Sequence, residues 1–294
     1  MKATVLVVDD ILTNVKLLEA RLISENFNVI SSYNGADALA ICQSQNIDVI
    51  LSDVMMPQMD GFELCSRLKS KLETKDIPII FLTGLEEETC KARAFQMGVD
   101  DFLTKPINEI TLLIRLKNLL IQKKLKDEIT RIEAPIDFES QIDSKARNSL
   151  DGKILKGHGR ILLIDLCSRI VSKVLPILSE NHNIFVETSP TKALQTLNEH
   201  RFEVLIIHMC EDNKACLEFC SVLRSHKNTS QLPILVILEA DDNILSEALK
   251  AGVNDYVLNP INPYDLMTRL NVHLANKRLQ NHLDIISKKL PLKT

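Results

Sequence analysis

Five polar side chains close short apolar runs near the beginning of the chain, and together they define one chemistry. Asp9 and Asp10 follow Val5-Leu-Val-Val8, and Asp53 ends Ile50-Leu-Ser-Asp53. Thr83 ends Ile79-Ile-Phe-Leu-Thr83, and Lys105 follows Phe102-Leu-Thr104 and precedes Pro106. Three carboxylates converging in one pocket repel one another unless a cation sits among them. Hard oxygen donors that leave room for water suit Mg²⁺. A lysine beside such carboxylates is a natural partner for a phosphoryl group, and a threonine hydroxyl can donate to a phosphoryl oxygen. The constellation describes an aspartate that accepts phosphate with the help of a metal ion. Singly, an Asp-Asp pair is also what a helix-capping loop shows, and Lys-Pro is an ordinary surface turn. The set carries the reading, not any one member.

These residues converge only if the elements before them end at a common edge. Strand candidates are Val5–Val8, Asn28–Ser31, Val49–Ser52, Ile79–Thr83 and Asp101–Leu103. Between them lie amphipathic stretches such as Asn14–Ser24, with Val15, Leu17, Leu18, Leu22 and Ile23. Short, unalternating apolar strands are what a sheet covered on both faces requires. Strands alternating with helical patterns predict right-handed crossovers and an open parallel sheet. Five such strands in about 120 residues fit a flavodoxin-like order, which binds ligands at the carboxyl ends of its strands.

The pattern occurs twice. Val5-Leu-Val-Val-Asp9 returns as Ile161-Leu-Leu-Ile-Asp165, 156 residues on. Met97-Gly-Val-Asp-Asp-Phe-Leu-Thr-Lys-Pro-Ile-Asn108 returns as Ala251-Gly-Val-Asn-Asp-Tyr-Val-Leu-Asn-Pro-Ile-Asn262, 154 residues on. Cys65-Ser-Arg-Leu-Lys-Ser70 answers Cys220-Ser-Val-Leu-Arg-Ser225 at an offset of 155. The period is far above the roughly 20–50 residues of solenoids, so two copies of one domain are expected. After the first copy, 116–132 keeps a lysine-rich helical pattern that Pro135 ends, and Gly152, Gly157 and Gly159 mark a linker. Another amphipathic stretch closes the second copy and runs from Leu266 to Leu290, just before Pro291. The expected organisation is a first domain at 1–122, a helical extension and linker at 123–158, a second domain at 159–277 and a terminal helical stalk at 278–294.

Composition narrows the class. The chain has 294 residues, 45% hydrophobic and 25% charged, as an ordinary globular protein of two domains does. Thirty-five basic against thirty-nine acidic residues give a net charge of −4, which offers no bulk attraction for nucleic acid or anionic lipid. No Trp, three Tyr and nine Phe leave few rings for stacking on bases. No apolar run approaches the roughly 20 residues a membrane span needs, and Asp9-Asp10 interrupts what would otherwise begin like a secretory segment. Neither nucleic acid nor membrane is expected as a partner. Cysteines 42, 65, 90, 167, 210, 216 and 220 show no framework spacing. Seven reduced thiols in a cytoplasmic protein are the expectation.

Asp9-Asp10, Asp53-Val-Met-Met-Pro57 with Asp60-Gly61, Thr83-Gly84 and Lys105-Pro106, in this order and spacing, resemble the receiver domains of two-component response regulators. The resemblance implies two flavodoxin-like (CheY-like) α/β domains, each a five-stranded parallel sheet with helices on both faces. It implies that Asp53 is the phosphoacceptor, attacking a phosphohistidine of a sensor histidine kinase or phosphotransfer protein, or a small phosphodonor. Asp10, Asp53 and the backbone carbonyl of Met55 would hold Mg²⁺, with Asp9 acting through water. Lys105 would pair with the phosphoryl group, Thr83 would move to hydrogen-bond it, and Phe102 stands in the place of a switch aromatic. Pro106 would follow a cis peptide bond that aims Lys105 inward.

The second copy keeps Asp165 in the place of Asp9, but carries Leu166 for Asp10, His208 for Asp53, Leu238 for Thr83 and Asn259 for Lys105. Gly252, Asp255, Tyr256 and Pro260 remain, with the apolar runs 204–207 and 234–238. One carboxylate holds Mg²⁺ poorly, and a phosphoacceptor is missing, so this copy reads as an adaptor that packs without accepting phosphate. His208, Cys210, Cys216 and Cys220 are soft metal ligands within thirteen residues. Their spacing is not that of a zinc knuckle, and Cys220 answers Cys65, where no such cluster stands. Buried, inert cysteines are therefore the reading taken.

A complete copy followed by a degenerate one resembles the input half of PleD-type diguanylate cyclase regulators. The stretches 9–20 and 102–107, Gly252-Val-Asn-Asp255 and Asn281-His-Leu-Asp284 carry that likeness. It implies a homodimer formed on phosphorylation. No Gly-Gly-Asp-Glu-Phe follows in this sequence, so cyclase activity is not expected of the chain, which reads as a signalling protein and not an enzyme. A regulatory fragment of a cyclase and a phosphate-independent scaffold are the alternatives. A flavoprotein would need a phosphate-cradling loop where Asp9-Asp10 stands. A dehalogenase-type phosphatase would need Asp-x-Asp there.

Overall fold

The computed structural model describes residues 2–84, 88–133, 157–209 and 213–289. Contacts divide the chain into two units, Met1–Lys124 and Leu125–Thr294.

In the first unit, β1 (Thr4–Val8), β2 (Asn28–Ser32), β3 (Val49–Asp53), β4 (Ile79–Thr83) and β5 (Asp101–Thr104) form one parallel sheet in the order β2-β1-β3-β4-β5. The connections are α1 (Leu12–Ser24), α2 (Gly35–Ser44), α3 (Gly61–Lys69) and α4 (Glu88–Gln96), and α5 (Glu109–Glu133) follows β5. Val5, Leu6, Val7 and Val8 have no exposure at all, as a strand covered on both faces must. Helix starts are fixed locally. Asn34 caps α2 by accepting from the Asp37 amide, and Asp60 caps α3 by accepting from the Glu63 amide at 2.7 Å.

Register brings the chemistry to one edge. Val8 pairs with Ser52, Asp53 with Leu82, and Thr83 with Thr104, so β1, β3, β4 and β5 end nearly level. Asp9, Asp53, Thr83 and Lys105 therefore emerge side by side at the carboxyl edge of the sheet.

The second unit repeats the plan with β6 (Gly159–Ile164), β7 (His182–Glu187), β8 (Val204–His208), β9 (Ile234–Leu238) and β10 (Asp255–Leu258) in the order β7-β6-β8-β9-β10. Its helices are α6 (Val171–Leu178), α7 (Pro190–Glu199), α8 (Asn213–Ser225), α9 (Asp242–Lys250) and α10 (Pro263–Lys289). Its core gathers Ile161, Leu163, Val174, Ile206, Ile237 and Leu270. A further apolar cluster in this unit joins Leu125 and Ile129, from the last turns of α5, to Leu279 and Leu283 of α10. The later turns of α10 thus bury one face. The interval around Pro135, Gly152 and the end of the chain beyond Lys289 lie outside the described residues.

Candidate functional site

The first unit's site is built around one lysine. Lys105 Nζ donates to Asp9 Oδ2 and to Asp53 Oδ2, each at 2.9 Å. Asp9 is wholly buried and Asp53 nearly so. Burial works against the charge on Lys105, but its bonds to Asp53 and Asp9 outweigh that and raise its pKa above the usual lysine value. The ammonium therefore stays on at physiological pH. The peptide bond between Lys105 and Pro106 is cis, and the Lys105 amide donates to the Thr83 carbonyl at 2.7 Å.

Asp9 is held from several sides. Its Oδ1 accepts from the Ile11 amide at 2.9 Å, and Asn14 Nδ2 lies 3.1 Å from Oδ1 and 3.0 Å from Oδ2. Asn14, on the first turn of α1, carries no sequence motif that marks it for this site. Only its place five residues after Asp9, on the helix that starts there, could have drawn attention to it. Asp53 Oδ1 accepts from the Val54 amide at 2.8 Å. Asp10 is exposed beside this pair, and Asp9, Asp10 and Asp53 each offer a ligand oxygen within 4.8 Å of the others. Met55 is 67% exposed in the loop after β3. Thr83 and Phe102 are buried, and Lys91 Nζ lies 4.9 Å from the centroid of the Phe102 ring.

Three oxygen donors and one ammonium in a pocket that is open at Asp10 fit a hard divalent cation such as Mg²⁺. A cation of that kind would neutralise negative charge next to Asp53.

The corresponding edge of the second unit holds different chemistry. Asp165 Oδ1 lies 2.8 Å from His208 Nδ1, and Asp165 Oδ2 accepts from the amides of Ile170 and Val171 at 2.8 and 3.2 Å. Burial pushes the Asp165 carboxyl up, but the bonds from His208 and from those amides prevail and hold its pKa below the usual aspartate value. Asn259 Nδ2 turns away from the pair to Glu239 Oε1 at 2.7 Å, and the Asn259–Pro260 bond is cis. Leu238 is buried at the end of β9.

The cysteines need one correction. Cys42, Cys65, Cys216 and Cys220 are free and buried, and burial pushes the thiols of Cys42 and Cys220 up to about 12 and that of Cys65 up to about 11. Cys167 is disulfide-bonded, so the expectation of reduced thiols throughout fails there. Cys167 is half-buried in the loop after β6, and a disulfide depends on a second thiol brought close by the fold, which spacing along the chain does not reveal. Cys216 Sγ lies 3.6 Å from the His208 carbonyl. Cys210 lies outside the described residues, as do the side-chain surroundings of Cys90.

None of the described helices is long and apolar enough to cross a membrane. The response regulator receiver domain matches the chain twice, at residues 5–117 and 161–271. The response regulator PleD of Caulobacter vibrioides is 36% identical over 289 residues, covering 97% of this chain and 62% of that protein. The chain thus spans less than two thirds of that relative's length. Protein PilH of Pseudomonas aeruginosa is 38% identical over 111 residues, covering 38% of this chain and 92% of PilH. Among solved structures, the chemotaxis protein CheY4 of Vibrio cholerae is 34% identical, covers 40% of this chain and 99% of its own, and superposes with a TM-score of 0.39. Receiver domains are phospho-accepting modules of two-component signalling. With two matches that take in most of its length, this chain belongs to the response regulator receiver domain family.

Proposed function

We propose that the chain is a response regulator in which Asp53 accepts a phosphoryl group and the second unit serves as an adaptor. The observation that carries this is Lys105 Nζ bridging Asp9 and Asp53 at 2.9 Å, with Asp10 beside them. Asp53 attacks the phosphorus of a phosphohistidine on a sensor histidine kinase or phosphotransfer protein. The histidine nitrogen leaves with its bonding electron pair, and an acyl phosphate forms on Asp53. Lys105 supports the reaction by offering its ammonium to the incoming phosphoryl oxygens in place of the Asp53 carboxylate. Thr83, one residue beyond the partner of Asp53 on the adjacent strand, donates its hydroxyl to one of those oxygens, and Phe102 responds by repacking. Asp9, Asp10, Asp53 and the Met55 carbonyl are the groups that would hold Mg²⁺, which supplies charge neutralisation at the acceptor.

Three features of the second unit support the adaptor role. His208 in the place of Asp53 cannot form an acyl phosphate, Asn259 in the place of Lys105 carries no charge, and Leu238 replaces the Thr83 hydroxyl. The proposed response to phosphate is homodimerisation, a local charge change read out by a two-state interface.

The test is solution mass by light scattering in Mg²⁺, with and without beryllofluoride, a phosphoryl mimic. A doubling of mass in the wild type that Asp53→Asn abolishes is expected. A mass that ignores beryllofluoride, in a chain that acetyl phosphate also fails to label, would instead make it a phosphate-independent scaffold.

A further inference from the structure

Asn14 is the third residue of α1, and its side chain turns to the site. Its Nδ2 is nearly equidistant from the two oxygens of Asp9, at 3.1 Å from Oδ1 and 3.0 Å from Oδ2. With the Ile11 amide on Oδ1 and Lys105 Nζ on Oδ2, each oxygen accepts from two donors. An ionised carboxylate has about four acceptor positions, so those of Asp9 are filled. The carboxylate therefore has one orientation, with Oδ2 facing the same ammonium that reaches Asp53.

The start of α1 is not what a helix alone would favour. Helix N-termini favour Ser, Thr, Asp or Asn in the cap position and acids in the first turn. Here Ile11 occupies the cap position, without a side-chain cap bond, and the first turn of α1 has no acid. An aspartate in the place of Asn14 would suit the helix, but it would set a second acceptor against Asp9. Asparagine has the same shape and supplies a donor instead.

The second copy links the asparagine to the lysine. The offset of 156 residues that relates Asp9 to Asp165 puts Ile170 in the place of Asn14. Asp165 is held by the Ile170 and Val171 amides and faces His208, while Asn259, in the place of Lys105, bonds to Glu239. The unit without the lysine thus lacks the asparagine as well, and backbone amides hold its aspartate.

We infer that Asn14 is a positioning residue, which orients Asp9 and thereby aims the Lys105 ammonium at the phosphoacceptor. The inference rests on the reading of Asp53 as the acceptor, but its first test needs no phosphate.

That test is nitrogen NMR of the metal-free full chain, with its lysines labelled by the heavy nitrogen isotope. A held ammonium exchanges its protons slowly and gives a sharp Nζ signal, assigned to Lys105 by its loss in Lys105→Met. The signal is expected in the wild type and should broaden beyond detection in Asn14→Ala. The second test is the rate at which acetyl phosphate labels Asp53 at saturating Mg²⁺. Asn14→Ala should slow labelling by roughly 10-fold and Asn14→Asp by roughly 100-fold, the range that outer-shell partners command. A role in the helix alone predicts no such loss, because alanine is the better helix former and aspartate suits the first turn. Asn14→Leu, close to asparagine in size but without a donor, is the second variant should alanine fold poorly by circular dichroism. No Lys105 signal in the wild type, a sharp one in the folded Ala and Leu variants, or wild-type labelling in Asn14→Asp would overturn the inference. A wild type that is not labelled at all would overturn the acceptor reading instead, and the ammonium signal would still decide on Asn14.

Discussion

A Cβ atom placed on Gly61 would lie 2.6 Å from the backbone oxygen of Asp53 and 3.1 Å from the Cα of Val54. The first residue of α3 is pressed against the strand end that presents the candidate phosphoacceptor, and the Gly61 amide donates to the Val54 carbonyl at 2.9 Å. Backbone cannot yield as a flexible side chain does. Gly61→Ala should therefore displace the β3–α3 loop, lowering stability by about 1–3 kcal/mol. Urea unfolding measures the first effect. Slower labelling of Asp53 by acetyl phosphate measures the second, and an unchanged midpoint would refute the contact.

Lys105 is the only cation placed between Asp9 and Asp53 among the described contacts. Replacing it with methionine leaves two nearly buried carboxylates facing each other. Loss of one partner in a buried pair costs about 3–5 kcal/mol, and the 28% exposure of the Lys105 side chain reduces this to about 1–3 kcal/mol. Added Mg²⁺ should recover more melting temperature in Lys105→Met than in the wild type, because a second cation can fill the same role. Scanning calorimetry with and without Mg²⁺ checks this. Equal gains in the two proteins would mean that the lysine does not offset the carboxylate charge.

Much of this site could be read from residue order. Asp9, Asp53 and Lys105 announce themselves because each follows a fully buried apolar run, and strand ends are where a parallel sheet exposes polar groups. Strand bounds read from apolar runs differ from the observed ones by a residue at most, since burial on both faces leaves little ambiguity. Asn14 was invisible because an asparagine at a helix start has many ordinary uses. Its role depends on how α1 leaves β1, not on any local pattern. Cys167 was invisible for a related reason. Its nearness to His208 arises only because β6 and β8 are neighbours, although 41 residues separate them in sequence.

The second unit should lose stability in mild acid through His182. Its Nδ1 accepts from the Gly159 amide at 3.1 Å, which requires that nitrogen to be unprotonated. Burial pushes its pKa down from 6.5, and the charges on Arg278 and His158 push it further, against an opposite pull from Glu203. The folded state therefore resists a proton that the unfolded state takes up near pH 6.5. Stability is highest above that pH and falls below it, by no more than about 1.4 kcal/mol per pH unit for this one group. Urea midpoints at pH 7.5 and pH 5.5 test the sign. His182→Asn, which can still accept from Gly159, should narrow the difference.

One arginine stitches the turn between α8 and β9 to the start of β10. Arg224 Nε donates to the Gly252 carbonyl at 2.8 Å, Nη1 donates to the Leu232 carbonyl at 2.7 Å, and Nη2 reaches Asn254 Oδ1 at 2.7 Å. Asn254 Oδ1 in turn accepts from the Ile234 amide, so the guanidinium sets how β9 and β10 begin. In the first unit Lys69 has the same task with fewer bonds, to the Ile77 carbonyl at 3.2 Å and Asp100 Oδ2 at 2.9 Å. An ammonium suffices there because Asp100 carries charge. Asn254 does not, and only a planar fork can reach three separated acceptors. Arg224→Lys should therefore destabilise the second unit by about 1–3 kcal/mol, while Lys69→Arg in the first unit costs little. If the arginine acted only through its charge, Arg224→Lys would be as mild as Lys69→Arg, and paired urea titrations of the two variants separate the outcomes. Arg224→Lys combined with Asn254→Asp restores a charged acceptor, so the double variant should regain part of the lost stability.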